Sequence, residues 1–311
     1  MNKSSMLFCA LFLSALFVSF GNAQQVADTT FNPPIAKPAY SVDSGPVVML
    51  DEAHFNFHTA TGRYLPFAQL LRRDGYVVQA STSRFDKKSL QQGKILVIVN
   101  ALAEVNTPGN WRLPNPSAFT DDEIAAVREW VYEGGALLLI ADHMPFAGAA
   151  EKLGAAFGIR FSNCFAMFAE QSRGSLFTFR RPNGALGEHP LLNGRMREER
   201  IDSLISFTGS AFQVESNAQP LLVLDSTQTL LLPETAWQFT AETPRLAATG
   251  WLQGATLKFG KGRIAVFGEA AMFSAQLAGA NRQPVGMNSP RAPQNYRFLL
   301  NVMHWLSGLL E

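Results

Sequence analysis

Charge is scarce in this chain, and so is cysteine. Charged residues make up 16% of the 311 positions, and the formal net charge is +1. No basic block is present, which excludes the electrostatic footprint of a nucleic-acid binder. There are two cysteines, Cys9 and Cys164, and five histidines. Beyond the N-terminus no apolar run is long enough to span a bilayer, which takes about 20 residues.

The N-terminus has the pattern of an export signal. Lys3 is followed by an apolar stretch from Met6 to Phe20 and by Gly21-Asn22-Ala23, and this order predicts cleavage after Ala23. Phe8, rather than Ala or Gly, precedes Cys9, which argues against a lipid-anchored cysteine. The mature chain then keeps only Cys164, so no intramolecular disulfide forms. An exported protein without a disulfide framework fits a bacterial periplasmic or secreted protein with an adequate core. No membrane span is expected after cleavage.

Residues 24 to 44 are rich in Pro, Ala, Thr and Gln and lack periodicity. They read as an extended tether or a surface strap. Residues 45 to 311 read as one α/β domain. Val47 to Asp51, Tyr76 to Ala80, Ile95 to Val99, Ala136 to Ile140 and Ile264 to Phe267 read as strands, and Ile95 to Val99 is continuous and β-branched, as expected for a strand covered on both faces. Helical spacing follows the first run from Thr61 to Asp74. Thr120-Asp121-Asp122-Glu123 is a capping box opening a helix that ends at Gly134-Gly135. Further helices are expected over about 146 to 157 and 294 to 309. From about 160 to 260 short apolar runs alternate with turns, which predicts an antiparallel insertion at or beside the sheet edge. Ser226-Thr227-Gln228 reads as a hairpin connection within it.

The densest chemistry lies directly after the first strand, in Asp51-Glu52-Ala53-His54-Phe55-Asn56-Phe57-His58. In open α/β sheets ligands bind beyond the carboxyl ends of the strands. The same edge would receive Asn100 after the third strand, Asp142 and His143 after the fourth, and Glu269 after the last. Asp51, His54, Asp142, His143 and Glu269 are the candidate catalytic acid–base residues. Glu52, Asn56, Asn100 and Trp111 are candidate ligand contacts; Trp111 lies on the long connection between Asn100 and Thr120. His54, His58, Asp142 and His143 are of the types that hold Zn²⁺ or a similar divalent ion, and the same groups suit metal-free acid–base chemistry. The spacing decides between neither, and it names no cofactor. Alternation predicts that Phe55 and Phe57 bury their rings. The competing structural reading makes Asp51 and Asp142 backbone caps, with His54 as a hydrogen-bonded partner.

Several of these segments together carry a resemblance. Glu133-Gly134-Gly135-Ala136-Leu137-Leu138-Leu139-Ile140-Ala141-Asp142, Glu188-His189-Pro190-Leu191, Gly262-Arg263-Ile264-Ala265-Val266-Phe267-Gly268-Glu269 and Asn301-Val302-Met303-His304-Trp305-Leu306 resemble, in that order, the class I glutamine amidotransferase-like domains of gliding-motility, intraflagellar-transport and secreted bacterial proteins. The resemblance spans roughly residues 45 to 311. It implies a flavodoxin-like α/β fold, with a mainly parallel sheet and helices on both faces. It carries no activity over, because true amidotransferases use a Cys on a strand-to-helix elbow. Here the strand ending at Val99 runs into Asn100-Ala101-Leu102-Ala103, and Cys164 reads as a small buried apolar residue. Two functions are therefore expected: a hydrolase of small or carbohydrate-like molecules, metal-assisted or not, or a non-catalytic module that binds a ligand or partner in the same crevice.

Overall fold

The computed structural model describes residues 25–168, 174–215 and 217–311; the segment expected to be an export signal lies outside them. A nine-stranded mixed sheet forms the centre. Its strands are β1 (Val47–Asp51), β2 (Val77–Ser81), β3 (Ile95–Val99), β4 (Ala136–Ile140), β5 (Ile159–Ser162), β6 (Ala211–Val214), β7 (Gln219–Val223), β8 (Leu252–Phe259) and β9 (Gly262–Phe267). They lie in the order β2-β1-β3-β4-β9-β8-β6-β5, with β7 also on β8. The strands β2, β1, β3, β4 and β9 are mutually parallel. The remaining four pair antiparallel. The sheet is therefore mixed rather than mainly parallel. Part of the antiparallel region expected at or beside the sheet edge extends the central sheet, and part forms smaller sheets.

Alternation within the strands explains why they read as continuous apolar runs. Val48, Leu50, Val97, Val99, Leu138 and Ile140 face one core with Phe67 and Leu71 of α1 (Leu65–Arg73) and Phe298 and Val302 of α4 (Asn295–Leu306). Met49, Leu96, Ile98, Leu137 and Leu139 face the other, with Val127 and Val131 of α2 (Asp121–Glu133) and Leu153 of α3 (Phe146–Ala155). Each fully buried side chain of this kind contributes about 1.5–3 kcal/mol.

The start of α2 is fixed as its sequence predicts. Thr120 accepts from the Glu123 amide, and the Glu123 carboxylate accepts from the Thr120 amide. Its end explains two of the glycine motifs at once. A Cβ on Gly262 would lie 2.1 Å from the Val131 carbonyl oxygen and 2.3 Å from that of Gly135. Only a bare backbone lets β9 start so close to the helix terminus.

Smaller sheets flank this core. Gln25–Ala27 pairs antiparallel with Ala275–Ala278, which pairs with Gln283–Gly286. Phe31, Ile35, Ala39 and Tyr40 pack on the core, so this segment is a strap and not a free tether. Gln228–Leu231 pairs with Phe165–Phe168 and Arg245–Ala247, whereas β7 pairs with β8. The expected hairpin at Ser226-Thr227-Gln228 is thus a link between two sheets. A two-stranded ribbon joins Leu176–Arg180 to Ser203–Phe207. Among the described residues no helix is long and apolar enough to cross a membrane.

Candidate functional site

The parallel strands deliver Asp51, Asn100, Asp142 and Glu269 to one edge of the sheet, but the chemistry there divides into two compartments. The first is closed. His54 Nδ1 lies 2.9 Å from Asp51 Oδ1, and its Nε2 lies 2.9 Å from Glu123 Oε1. The ring sits between Phe85 and Phe119, with centroids at 4.6 and 4.7 Å. Burial pulls the imidazole toward its neutral form, but hydrogen bonds and charge from Asp51 and Glu123 outweigh this, and its pKa is raised. Burial pushes the Glu123 carboxyl up, yet the Thr120 amide and His54 bring it down to about 2. Both ring nitrogens of His54 are thus engaged by carboxyl groups, which favours the protonated ring. Asn56 completes the cluster, donating to Asp51 Oδ2 and to the Val99 carbonyl.

The alternation expected after β1 is therefore inverted. Asn56 and His58 are buried, and Phe55, at φ 47°, is 50% exposed. The positive φ turns the ring outward so that Asn56 can satisfy Asp51. Glu52 accepts from the Ala60 amide at 2.7 Å, a turn-closing contact. Asp51, Glu52, His54 and Asn56 line no part of the open crevice. The expectation that they form the reactive surface is corrected, because their polar atoms are engaged with one another and with backbone.

The second compartment is an open crevice of about 1140 Å³. Its floor holds His58, Asn100, Asp142, His143 and Glu269, and its aromatic walls are Phe57, Trp111, Phe146 and Trp237. Asn100 takes φ 49° immediately after β3, a conformation Asn tolerates better than most residues. From there its Oδ1 accepts from the Asp142 amide, and its Nδ2 donates to His58 Nδ1 at 3.2 Å. That contact leaves the hydrogen of the neutral His58 ring on Nε2, as a donor. Burial, with Arg63 and His143 nearby, lowers the pKa of His58 to about 3, so the ring stays neutral. In His143 the pattern is reversed. Nδ1 donates to the Met144 carbonyl at 2.6 Å, which in the neutral tautomer puts the lone pair on Nε2. The ring stacks on Phe165 at 4.4 Å and meets Trp237 edge-on at 4.9 Å.

Asp142 and Glu269 are the two buried acids of the crevice. Asp142 Oδ1 accepts from the His143 amide and Oδ2 from the Ala270 amide. Glu269 accepts from the amides of Ala271 and Met272. Burial raises both carboxyls; in Glu269 the charge of Asp142 adds to it and the value reaches about 8. Tyr64 packs edge-on against His58 at 4.6 Å and donates to the Ala270 carbonyl, closing the floor.

Trp111 is held by a rigid loop. The buried Asn106 donates to the carbonyls of Asn110, Arg112 and Pro114, and Ala236 donates to the Trp111 carbonyl. The indole meets Phe57 and Phe146, each at 5.2 Å.

The four proposed metal ligands do not converge. Both nitrogens of His54 are engaged elsewhere, and His58 presents a hydrogen rather than a lone pair. Among the described residues no three His, Cys, Asp or Glu side chains are grouped to hold a metal ion. Sequence reasoning missed Glu123, whose capping-box position hid its second bond, and also Arg63, Trp237 and Gln276 of the crevice. The last two arrive through long-range antiparallel pairing that no local pattern signals.

No family model matches the chain, and no curated protein sequence matches it significantly. Among solved structures, the mmIFT52 N-terminal domain superposes with a TM-score of 0.56 at 14% identity, over 84% of this chain and 97% of that domain. The two share a fold. A ThuA-like protein from Bacteroides uniformis aligns at 12% identity over 88% of this chain and 94% of its own, with a TM-score of 0.46. A cytoplasmic protein from Salmonella typhimurium aligns at 13% identity over 84% and 98%, with a TM-score of 0.41.

Proposed function

We propose that this chain is an exported glutamine amidotransferase-like domain whose crevice binds a small, sugar-like molecule and hydrolyses it by metal-free acid–base catalysis. The four sequence motifs and the fold shared with the mmIFT52 N-terminal domain support the family reading. The parallel strands run β2-β1-β3-β4-β9, which is the flavodoxin-like order of 2-1-3-4-5. Export rests on the Lys3 to Ala23 pattern, and mass spectrometry of the secreted protein should find Gln24 at its N-terminus.

The observation that carries the chemistry is the Asp142–Glu269 pair at the base of an aromatic-walled crevice. Two close buried carboxyls cannot both ionise readily, so one keeps its proton at neutral pH. Glu269 is then the acid that protonates a leaving group. Asp142 and the open Nε2 of His143 are the acceptors for a water's proton. Aromatic faces suit the apolar face of a sugar ring.

Turnover of aryl glycosides and short oligosaccharides by the wild type, Glu269→Gln and His143→Gln tests this. Loss of about 10²-fold or more in kcat with binding retained supports it, since one general acid or base contributes about 10²–10⁴-fold. Binding without turnover in the wild type refutes the catalytic claim.

A second reading, a non-catalytic binding module, has one observation in its favour. All four oxygens of Asp142 and Glu269 accept from backbone amides, as in carboxyls that serve to shape loops.

A further inference from the structure

Among the described residues that line the crevice, Arg63 contributes the only guanidinium or ammonium group. Its environment is unusual for a half-buried cation. The guanidinium lies 3.9 Å over the Phe57 ring. Its one hydrogen bond, Nη1 to the Phe57 carbonyl, is stretched to 3.5 Å. The Nε atom is buried and has no partner. No carboxylate forms an ion pair with Arg63 among the described residues, although other arginines of the chain find one.

A desolvated guanidinium without a counter-ion is costly unless something pairs with it. Burial lowers its pKa, in keeping with an unmet demand for negative charge. The Phe57 face fixes the plane of the group, and a fixed fork recognises a planar carboxylate better than a flexible ammonium does. Gln276 makes a second demand on the same crevice. The residue is 1% exposed, its Nε2 donates to Ser274 Oγ, and its Oε1 has no partner. That oxygen seeks a donor such as a hydroxyl.

We propose that the crevice takes a carboxylate-bearing, hydroxyl-rich ring, a uronic-acid-like ligand, whose carboxylate pairs with Arg63 and one of whose hydroxyls donates to Gln276. This rests on the sugar-like reading of the site and specifies it. Glu269 does not oppose an anion here, because burial and the charge of Asp142 keep its proton on at neutral pH, and both oxygens of Asp142 are already held by backbone amides. Among the described residues one guanidinium faces the ligand, and its planar fork matches the single charge of a planar carboxylate.

The emission of Trp111 and Trp237 allows the test, which is titration of the full chain with methyl β-glucuronide, methyl β-glucoside, acetate and inorganic phosphate. The two glycosides differ only in carboxylate against hydroxymethyl. The expected result is at least about tenfold tighter binding of the glucuronide, equivalent to about 1.4 kcal/mol. Arg63→Gln should abolish that preference while binding of the glucoside persists, and Arg63→Lys should restore part of it. Circular dichroism shows whether each variant is folded, and if Arg63→Gln is not, the Lys variant and the wild-type preference decide. Equal binding of both glycosides overturns the proposal and leaves the sugar-like reading intact. A preference that survives Arg63→Gln overturns the role of Arg63, and phosphate binding tighter than acetate overturns the carboxylate assignment. Acetate binding through Arg63 with no response to either glycoside upholds the anion site and overturns the sugar-like reading. Silence from all four probes overturns both.

Discussion

His54 Nε2 lies 2.9 Å from Oε1 of Glu123, a residue 69 positions further along the chain. This bond links the loop after β1 to the first turn of α2, beneath the crevice and not within it. It changes the meaning of the acid–histidine run after β1. The run is a structural clamp from which only its last two members, Phe57 and His58, reach the crevice.

Removing the clamp should cost stability, not ligand binding. His54→Ala leaves the buried Asp51 and Glu123 side chains without the ring that bridges them. Breaking a buried pair in this way costs about 3–5 kcal/mol. Urea unfolding should show a lower midpoint with an unchanged slope. An unaltered midpoint would show that the two carboxylates are solvated in the folded protein.

The sequence discloses four of the five parallel strands because both faces of each are covered, and runs such as Ile95 to Val99 need no alternation; the edge strand β2, with Gln79 and Ala80 exposed, is legible from its β-branched Val77 and Val78. It discloses the site edge because Asn100, Asp142 and Glu269 each follow an apolar run. It does not disclose the split into two compartments. That depends on φ 47° at Phe55, which turns Asn56 and His54 inward and which no local pattern encodes. Arg63 reads as an ordinary polar residue at a helix start. Only the stacking on Phe57 makes it a crevice residue.

Cys164 should be inert in the native protein. Burial pushes its thiol up to about 11, and the thiolate is the reactive form. Ellman's reagent at neutral pH should label it only as fast as the chain unfolds. Immediate labelling of folded protein would contradict the buried position and reopen a role for the thiol.

His58 should make the fold acid-sensitive. Its folded pKa is lowered from 6.5 to about 3, so the unfolded chain binds a proton at a pH where the folded chain does not. The stability it contributes is present above pH 6.5 and is lost as pH falls toward 3, at up to about 1.4 kcal/mol per pH unit. Between pH 6.5 and 4.5 Glu123 adds little, because its ordinary value lies at the bottom of that window. His58→Gln should therefore show a shallower acid slope than the wild type there. Equal slopes would mean that His58 protonates freely in the native state.

Glu269 should produce the opposite dependence. Its folded pKa is raised from 4.5 to about 8, so between those values the folded chain keeps a proton that the unfolded chain has released. The stability linked to this proton is complete below about pH 4.5, declines as pH rises, and is exhausted above about pH 8. Glu269→Gln removes the titration but not without cost. The amide offers one acceptor oxygen where the carboxyl offered two, so the amide of Ala271 or Met272 loses its partner, a penalty of about 1–3 kcal/mol. The variant is therefore expected to be less stable at pH 5. The informative quantity is the gap to the wild type, not the absolute level. As pH rises to 8 the wild type loses the Glu269 contribution and the variant has none to lose, so the gap should narrow. His54 weakens on the alkaline side in both proteins, and its effect cancels in the difference. Chemical unfolding of the two proteins at several pH values from 5 to 9 measures the gap directly. A gap that stays constant would place the Glu269 titration at the ordinary carboxylate value and remove the protonated acid from the proposed mechanism.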